Sequence, residues 1–565
     1  MLIKKLSLIL TLCSLFFLSI ETKSAWPDRD GDGLPDRPEG SLINRNSCLD
    51  EASAEFTVSP EKINFGQSAT LTWTVDMPTH CTNHVRFALN GKFVDQSGSQ
   101  VITPSATSIY KFTLGGNNLG IYQQSELLAK VDVNYQANII IDKTTNDPAS
   151  ALVNALKNPS SEKKIIELCD VDIDLTNQST VVIGSNTSLI ASPACVRTPH
   201  ILGSRIFITK ARSYYDPVFN ITGNNVLISG FRLEGPTKSL DRWGDGSKER
   251  GIAIHPQGIA SITNIEVSNM EIYHWSGAAI GISDNQENDE KGYLNASNMN
   301  AIHITKNFIH DNKHGNGYGY GVNIGGGAYA LITKNVFDGN RHAIAGGSRA
   351  GNKIDYSGYV LRENLVLPSG GRHCREGIFG PCWHTHQIDM HGDQNEWYTD
   401  SNWLCGKAGE NLIIERNTIT YTNGPAIKIR GNPVGKAIVD NNIFASSNDS
   451  IEQNGECGGW GDNIKNPIDV RSNNIFNTNP LREIANCDLT GDGQPDEFMA
   501  TGVTWWVRSS VTGQWYYLNT MSEKIDQLEF RKINDDLKCD VVLRSPNGIE
   551  QQYSSGGLSP WQPNN

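Results

Sequence analysis

The chain has 565 residues, is 38% hydrophobic against 19% charged, and carries a formal net charge of −13. That length exceeds one ordinary hydrophobic core and predicts several domains. The negative balance excludes a general nucleic-acid binder, which rests on clustered Lys and Arg, and beyond the N-terminus no run approaches the ~20 apolar residues needed for membrane insertion. The 54 glycines and only 7 methionines suit a β-rich, turn-rich chain.

Lys4 and Lys5 precede an apolar run from Leu6 to Ile20, with small residues at Ser24 and Ala25. Residues 1–25 therefore read as a secretory signal peptide, and the protein is expected to be secreted or extracellular, with the periplasm as an alternative. Leu12 is too large for lipoprotein cleavage before Cys13, so no lipid anchor is expected. Of the 11 cysteines, all but Cys13 remain after cleavage. Their even number in an exported chain predicts disulfides. No Cys-x-x-Cys pair occurs, which argues against a zinc site.

Residues 26–52 form a calcium-binding loop and linker. Asp28, Asp30, Asp32, Asp36 and Glu39 occupy positions 1, 3, 5, 9 and 12 of an EF-hand-like pattern, with Gly33 at position 6. Hard oxygen ligands at alternate positions wrap one structural Ca²⁺, and the motif resembles the stand-alone calcium loops of extracellular proteins. Across 53–136, Phe56-Thr-Val58, Ala69 to Val75 and Tyr110 to Leu114 alternate apolar and polar residues. That alternation predicts an antiparallel β-sandwich. It resembles a bacterial immunoglobulin-like module, although Trp73 has only Cys81 nearby instead of an intradomain cysteine pair. Such modules serve as spacers and sometimes bind sugars.

From 137 to 480 a slow repeat appears. Two apolar residues stand at i and i+5, usually with asparagine at i+3: Ile304/Asn307/Ile309, Ile332/Asn335/Phe337, Leu361/Asn364/Val366, Ile414/Asn417/Ile419, Ile438/Asn441/Ile443 and Val470/Asn473/Ile475. Ile228/Leu233 and Val267/Ile272 keep the apolar pair alone. A period of ~25–30 residues with two or three short strands per turn predicts a right-handed parallel β-helix, so the chain as a whole is all-β. Inward asparagines at one bend would form a ladder that satisfies buried backbone groups. The pattern resembles the pectin-lyase-like superfamily. Cys169 and Cys195 are one coil apart and are candidates to pair across adjacent rungs.

The tail, 481–565, opens with Asp488, Thr490, Asp492, Gly493 and Asp496. This resembles the Asp-x-Asp-Gly-Asp-Gly-x-x-Asp loop of FG-GAP/VCBS repeats, with Thr490 replacing one aspartate, and it implies a calcium-stabilised β module. Cys487 and Cys539 are candidates to pair within it. Exposed Trp505, Trp506, Trp515 or Tyr516 would make the module a sugar binder; an aromatic core is the plainer expectation.

A second strand follows each template: Ile280-Gly-Ile282-Ser, Val322-Asn-Ile324-Gly, a less regular His342-Ala-Ile344-Ala, Ile388-Asp-Met390-His, Ile427-Lys-Ile429-Arg and Ile451-Glu-Gln453-Asn. With the apolar positions inward, alternation sends the others outward. One outer column then runs Gly281, Asn323, Asp389, Lys428, Glu452, and its neighbour runs Ser283, Gly325, His391, Arg430, Asn454. Asp389, His391, Lys428, Arg430 and Glu452 are the candidate catalytic residues. Asn323, His384, His386 and a wall of Arg341 and His342, two rungs earlier, are candidates to hold substrate.

Removing the proton alpha to a uronate carboxylate needs a cation on that carboxylate and a base near C5. Arg430 or Lys428 with His391 meets that need, so the chain is expected to be a polysaccharide lyase or C5-epimerase. Asp389-Met-His391 resembles the Asp-x-His core of the mannuronan C5-epimerase motif, with Met390 in place of proline. An inverting hydrolase using Asp389 and Glu452, about 9.6 Å apart over two rungs, is the alternative. A non-catalytic glycan-binding or adhesion surface is the other. His384, His386, Asp389 and His391 have metal-ligand chemistry, but strand parity is expected to separate the first two from the last two, unless the strand begins only at Gln387 after the Cys374 to Cys382 loop.

Overall fold

The computed structural model describes residues 52–560, apart from a number of stretches, of which the longer are 117–124, 192–202, 239–247, 256–262, 284–300, 374–382, 393–407 and 455–463. The expected signal peptide and the expected calcium loop with Asp28, Asp30, Asp32, Asp36 and Glu39 lie outside the described residues. The chain divides into two units, 1–136 and 137–565.

In the first unit a three-stranded and a five-stranded sheet face each other. Alternation along Ala69–Asp76 sends Ala69, Leu71, Trp73 and Val75 inward and the residues between them toward solvent. Phe112 is fully buried among Phe56, Trp73 and Phe87. The result is a β-sandwich whose aromatic centre does the work that a cysteine pair does elsewhere. Cys81 is disulfide-bonded, with its partner outside the described residues.

The second unit holds a parallel β-helix followed by a small β module. Three long sheets, of eleven, nine and nine strands, run through it. Each coil contributes one short strand to each sheet in turn, and every step between rungs is parallel. Ile228, Val267, Ile304, Ile332, Leu361, Ile414 and Val439 stack in register on the first sheet. Leu233, Ile272, Ile309, Phe337, Val366, Ile419 and Phe444 do so on the second. On the third, Ile280, Val322, Ile344, Ile388, Ile427 and Ile451 line up. Like side chains therefore stack on like, and one continuous core fills the bore. The N-terminal end is closed by the helix Pro148–Lys157, whose Leu152 and Leu156 pack into that core. Asp147 caps it by accepting from the Ser150 amide.

The bend between the first and second sheets carries an asparagine ladder. Each side-chain amide donates to the next side-chain oxygen, from Asn307 through Asn335, Asn364 and Asn417 to Asn442 and Asn474, at 2.9–3.0 Å. Each oxygen also accepts the backbone N–H of the ladder residue one coil earlier. The residue before the asparagine turns the corner in the left-handed region, at φ between 55° and 58° for Lys306, Lys334, Glu363, Arg416 and Asn441. This corrects the expected ladder in its last two rungs. Asn441 makes the turn and Asn442 joins the ladder, so Val439 and Phe444, not Ile438 and Ile443, face the core. One rung later Asn474 replaces Asn473, Phe476 stacks on Phe444 at 5.0 Å, and Val470 and Ile475 are exposed. In the two coils before the ladder, Phe231 and Met270 fill its place as buried apolar residues.

The C-terminal module is two four-stranded antiparallel sheets over a shared core. Cys487 and Cys539 are joined, with Cα atoms 5.8 Å apart. Cys169 is also disulfide-bonded, and its expected partner Cys195 lies outside the described residues. Trp505, Trp506 and Trp515 are buried, so they are core rather than a sugar platform. Trp506, Trp515 and Met499 cover Phe308, Val336, Leu365 and Leu367 on the outside of the second sheet. Outward apolar residues on three consecutive rungs thus serve as a dock for the module, and Thr520 donates to Glu363 beside it at 2.9 Å.

Asn442→Ala removes an acceptor from a buried N–H and two donors from buried oxygens, and should destabilise by roughly 2–4 kcal/mol. Asn441→Gly keeps the left-handed turn and should cost under about 1 kcal/mol. Thermal melts of the two variants check this; equal losses would reject the corrected register.

Candidate functional site

The third sheet places the site. Its two outer columns read Gly281, Asn323, Ala345, Asp389, Lys428, Glu452 and, alongside, Ser283, Gly325, Gly347, His391, Arg430, Asn454. The strand Ile388–His391 buries Ile388 and Met390 in the core, which by alternation turns Asp389 and His391 outward. Small residues on the preceding rungs leave an open floor. A Cβ at Gly347 would meet no described atom within 4 Å, and one at Gly325 would meet only the Gly347 carbonyl at 3.6 Å.

Asp389 faces outward yet has no exposed surface. Three side chains close over it. His391 Nε2 lies 2.5 Å from Asp389 Oδ2, His386 Nε2 lies 3.0 Å from the same oxygen, and an Arg430 guanidinium nitrogen is 3.6 Å away. That guanidinium also contacts His391 Nδ1. A guanidinium only donates, so Nδ1 is the unprotonated nitrogen of His391 and Nε2–H faces the carboxylate. On the core side the Tyr359 hydroxyl donates to the Asp389 backbone oxygen at 3.2 Å. Burial works against the Asp389 charge, but His386 and then Arg430 outweigh it and hold the carboxyl below its ordinary value.

Strand parity does not separate His386 from Asp389. The strand begins only at Ile388, so His386 sits in the preceding bend, where alternation does not apply, and it leans onto the carboxylate. His342 lies one rung before Asp389 rather than two, since Ile344 pairs with Ile388. It is fully buried, with its ring stacked on Tyr320 at 5.7 Å and on His386 at 4.2 Å. Its Nδ1 meets the His386 backbone oxygen. Burial first, then the charges of Arg341 and His386, push His342 well below its ordinary value, so the ring is neutral. Arg341 is half-buried, donates to the Gly317 carbonyl at 2.6 Å and lies over the Tyr320 ring.

His384 stands apart from the site. It is exposed and pairs with Arg372 in a separate two-stranded ladder. Lys428 turns to Glu452, with Nζ 2.6 Å from Oε2, and not to Asp389. Asn323 holds the floor by donating to the Ala345 carbonyl at 3.2 Å. Sequence reasoning missed Tyr320 and Gly347. Gly347 was discoverable, because it continues the outward parity of Ala345 by two residues. A second, two-member ladder, Asn312 to Asn340 at 2.7 Å, braces the bend that leads into the site. Each of its members stands five residues after a member of the long ladder.

In the C-terminal module the carboxylates of Asp488, Asp492 and Asp496 converge within 4.8 Å. Asp492 and Asp496 are buried, and the Thr490 hydroxyl is buried without a hydrogen-bond partner among the described residues. Backbone amides of Gly491, Asp492 and Gly493 donate to Asp488, and those of Leu489 and Thr490 donate to Asp496, which shapes the loop around the three acids. The Asp496 carboxyl is raised, first by burial and then by Asp492 among its neighbours.

Gly347→Val should fold with a melting temperature within about a degree of the parent, because its side chain enters open space. The same side chain would obstruct the floor beside His391, so glycan binding by calorimetry should weaken tenfold or more. Unchanged binding would show that ligand does not lie there. Comparison of the chain with family models, with curated proteins and with solved structures finds no match.

Proposed function

We propose that the chain acts on a uronate-containing polysaccharide by lyase or C5-epimerase chemistry, on the outer face of the third sheet. The observation that carries this reading is one imidazole, His391, set between a buried carboxylate and a guanidinium beside a glycine floor. Asp389 orients His391 and favours its protonated form, as a buried carboxylate does for a general base. Arg430 supplies a planar, permanently charged partner for a carboxylate.

In this mechanism the substrate carboxylate draws the Arg430 guanidinium off His391 Nδ1. The freed nitrogen takes the proton from C5, and the negative charge that passes onto the carboxylate is held by Arg430. For a lyase, the C4–O bond then breaks, C4=C5 forms, and the glycosidic oxygen leaves as a new reducing end, protonated by water, while His391 returns its proton to solvent. For an epimerase, a proton from water is delivered to C5 on the opposite face, and His391 likewise returns its proton to solvent. Hydrolysis by Asp389 and Glu452 has weaker support. Asp389 has no exposed surface and is held ionised, and Glu452 is ion-paired with Lys428. A general acid needs neither condition.

We also propose that Asp488, Asp492 and Asp496, with Thr490, hold a structural Ca²⁺. Three converging carboxylates and an orphaned hydroxyl are hard oxygen donors of the kind that ion takes. The N-terminal Asp28 to Glu39 loop is proposed as a second structural calcium site on its pattern alone. Export and the absence of an organic cofactor belong to the same proposal.

Incubation with a panel of acidic glycans, followed by the absorbance of unsaturated uronate and by NMR for inverted C5, tests the main reading. One polymer should react, and His391→Ala or Arg430→Ala should each lower the rate 10²-fold or more. Release of new reducing ends without unsaturation would overturn it in favour of hydrolysis. Binding with no conversion of any uronan would leave the adhesion reading. For calcium, chelation should lower the melting temperature of the parent, and Asp496→Asn should lose most of that response.

A further inference from the structure

We propose that His342, His386 and Asp389 form a site for one divalent first-row transition-metal ion. One ligand atom from each lies within 4.8 Å of the others, and all three residues are buried. The site is additional to the lyase or epimerase reading and does not rest on it.

The donors are orphans. His342 Nε2, His386 Nε2 and Asp389 Oδ1 carry no hydrogen bond among the described residues. Each such buried atom costs ~1–3 kcal/mol if nothing meets it. His386 Nε2 approaches Asp389 Oδ2 to 3.0 Å without hydrogen-bond alignment. Both nitrogens and the carboxylate therefore address a common point rather than one another.

The surroundings fix this arrangement. The His386 backbone oxygen accepts from His342 Nδ1–H, which leaves the lone pair on Nε2, and stacking on Tyr320 and His386 sets the ring plane. A metal-bound imidazole is held by the same kind of contact on its other nitrogen. Asp389 presents Oδ2 to His391 and Arg430, so Oδ1 is the oxygen left over. Two imidazoles and one carboxylate suit zinc, iron(II), cobalt or nickel, and they do not suit calcium or magnesium, which take oxygen. Arg430 and Arg341 bring positive charge to the rim. They partly neutralise Asp389, yet they satisfy neither imidazole nitrogen, and their charge favours an anion as the remaining ligand of the ion.

The full chain, stripped with a chelator and refilled with excess Ca²⁺ to saturate the acidic loops, is titrated with Zn²⁺ and with Co²⁺. Metal content and the visible absorption of Co²⁺ are read. The expected result is one equivalent per chain with Co²⁺ bands of nitrogen–oxygen ligation. His342→Ala and His386→Ala should each weaken uptake tenfold or more, while His384→Ala, exposed on its own ladder, should not. Far-UV circular dichroism and melting of the metal-free variants separate ligand loss from misfolding, and His386→Gln serves as the milder variant. No uptake by the parent chain overturns the proposal. So does uptake that survives His342→Ala or disappears in His384→Ala.

Discussion

Everything in the second unit depends on parallel stacking of coils at the ~4.8 Å spacing of hydrogen-bonded strands. That spacing forces each bend to repeat its shape coil after coil, and it buries the backbone groups at the bend. The asparagine ladder meets both demands. Its side chains satisfy N–H and C=O groups that no strand partner reaches, and the left-handed residue before each asparagine sets the angle of the corner. Because the bend is held, loops elsewhere can grow without shifting the register. The Leu361 to Ile414 interval is the longest, and its strands still pair directly on the first and second sheets.

The site uses that tolerance. Between the ladder residues Asn364 and Asn417 the coil carries extra chain, and from it come His386, Asp389 and His391. Stacking then brings Arg430 beside His391 from the following coil and His342 behind His386 from the preceding one. Three coils meet at one carboxylate. A buried Asp389 is costly in isolation, and the surrounding imidazoles and guanidiniums offset that cost. A charge held in low dielectric acts strongly on the groups around it.

Much of this was legible in the residues. The apolar pairs at i and i+5 named the inward positions of the first two sheets, and alternation placed Asp389, His391, Lys428, Arg430 and Glu452 in their columns. The Cys487–Cys539 bond was also readable. What failed has physical reasons. Asn441-Asn442 offers two asparagines, and only the geometry of the corner decides which turns and which joins the ladder. The side taken by His386 turned on where the strand begins, which alternation alone does not decide, and the strand begins after it. Lys428 was placed between two carboxylates, and its long side chain chose the more exposed Glu452. The dock for the C-terminal module was written as Phe308, Val336 and Leu365, each just before an inward residue, but outward apolar residues have no meaning until their partner is known.

The proposed chemistry takes a C5 proton from the sugar at His391 while Arg430 holds the carboxylate. A uronan labelled with tritium at C5 is the decisive substrate, because lyase and epimerase chemistry both release that label to water. The parent chain should release it, and His391→Ala should retain it. Label that stays at C5 while the parent chain binds the polymer would rule the proposed chemistry out.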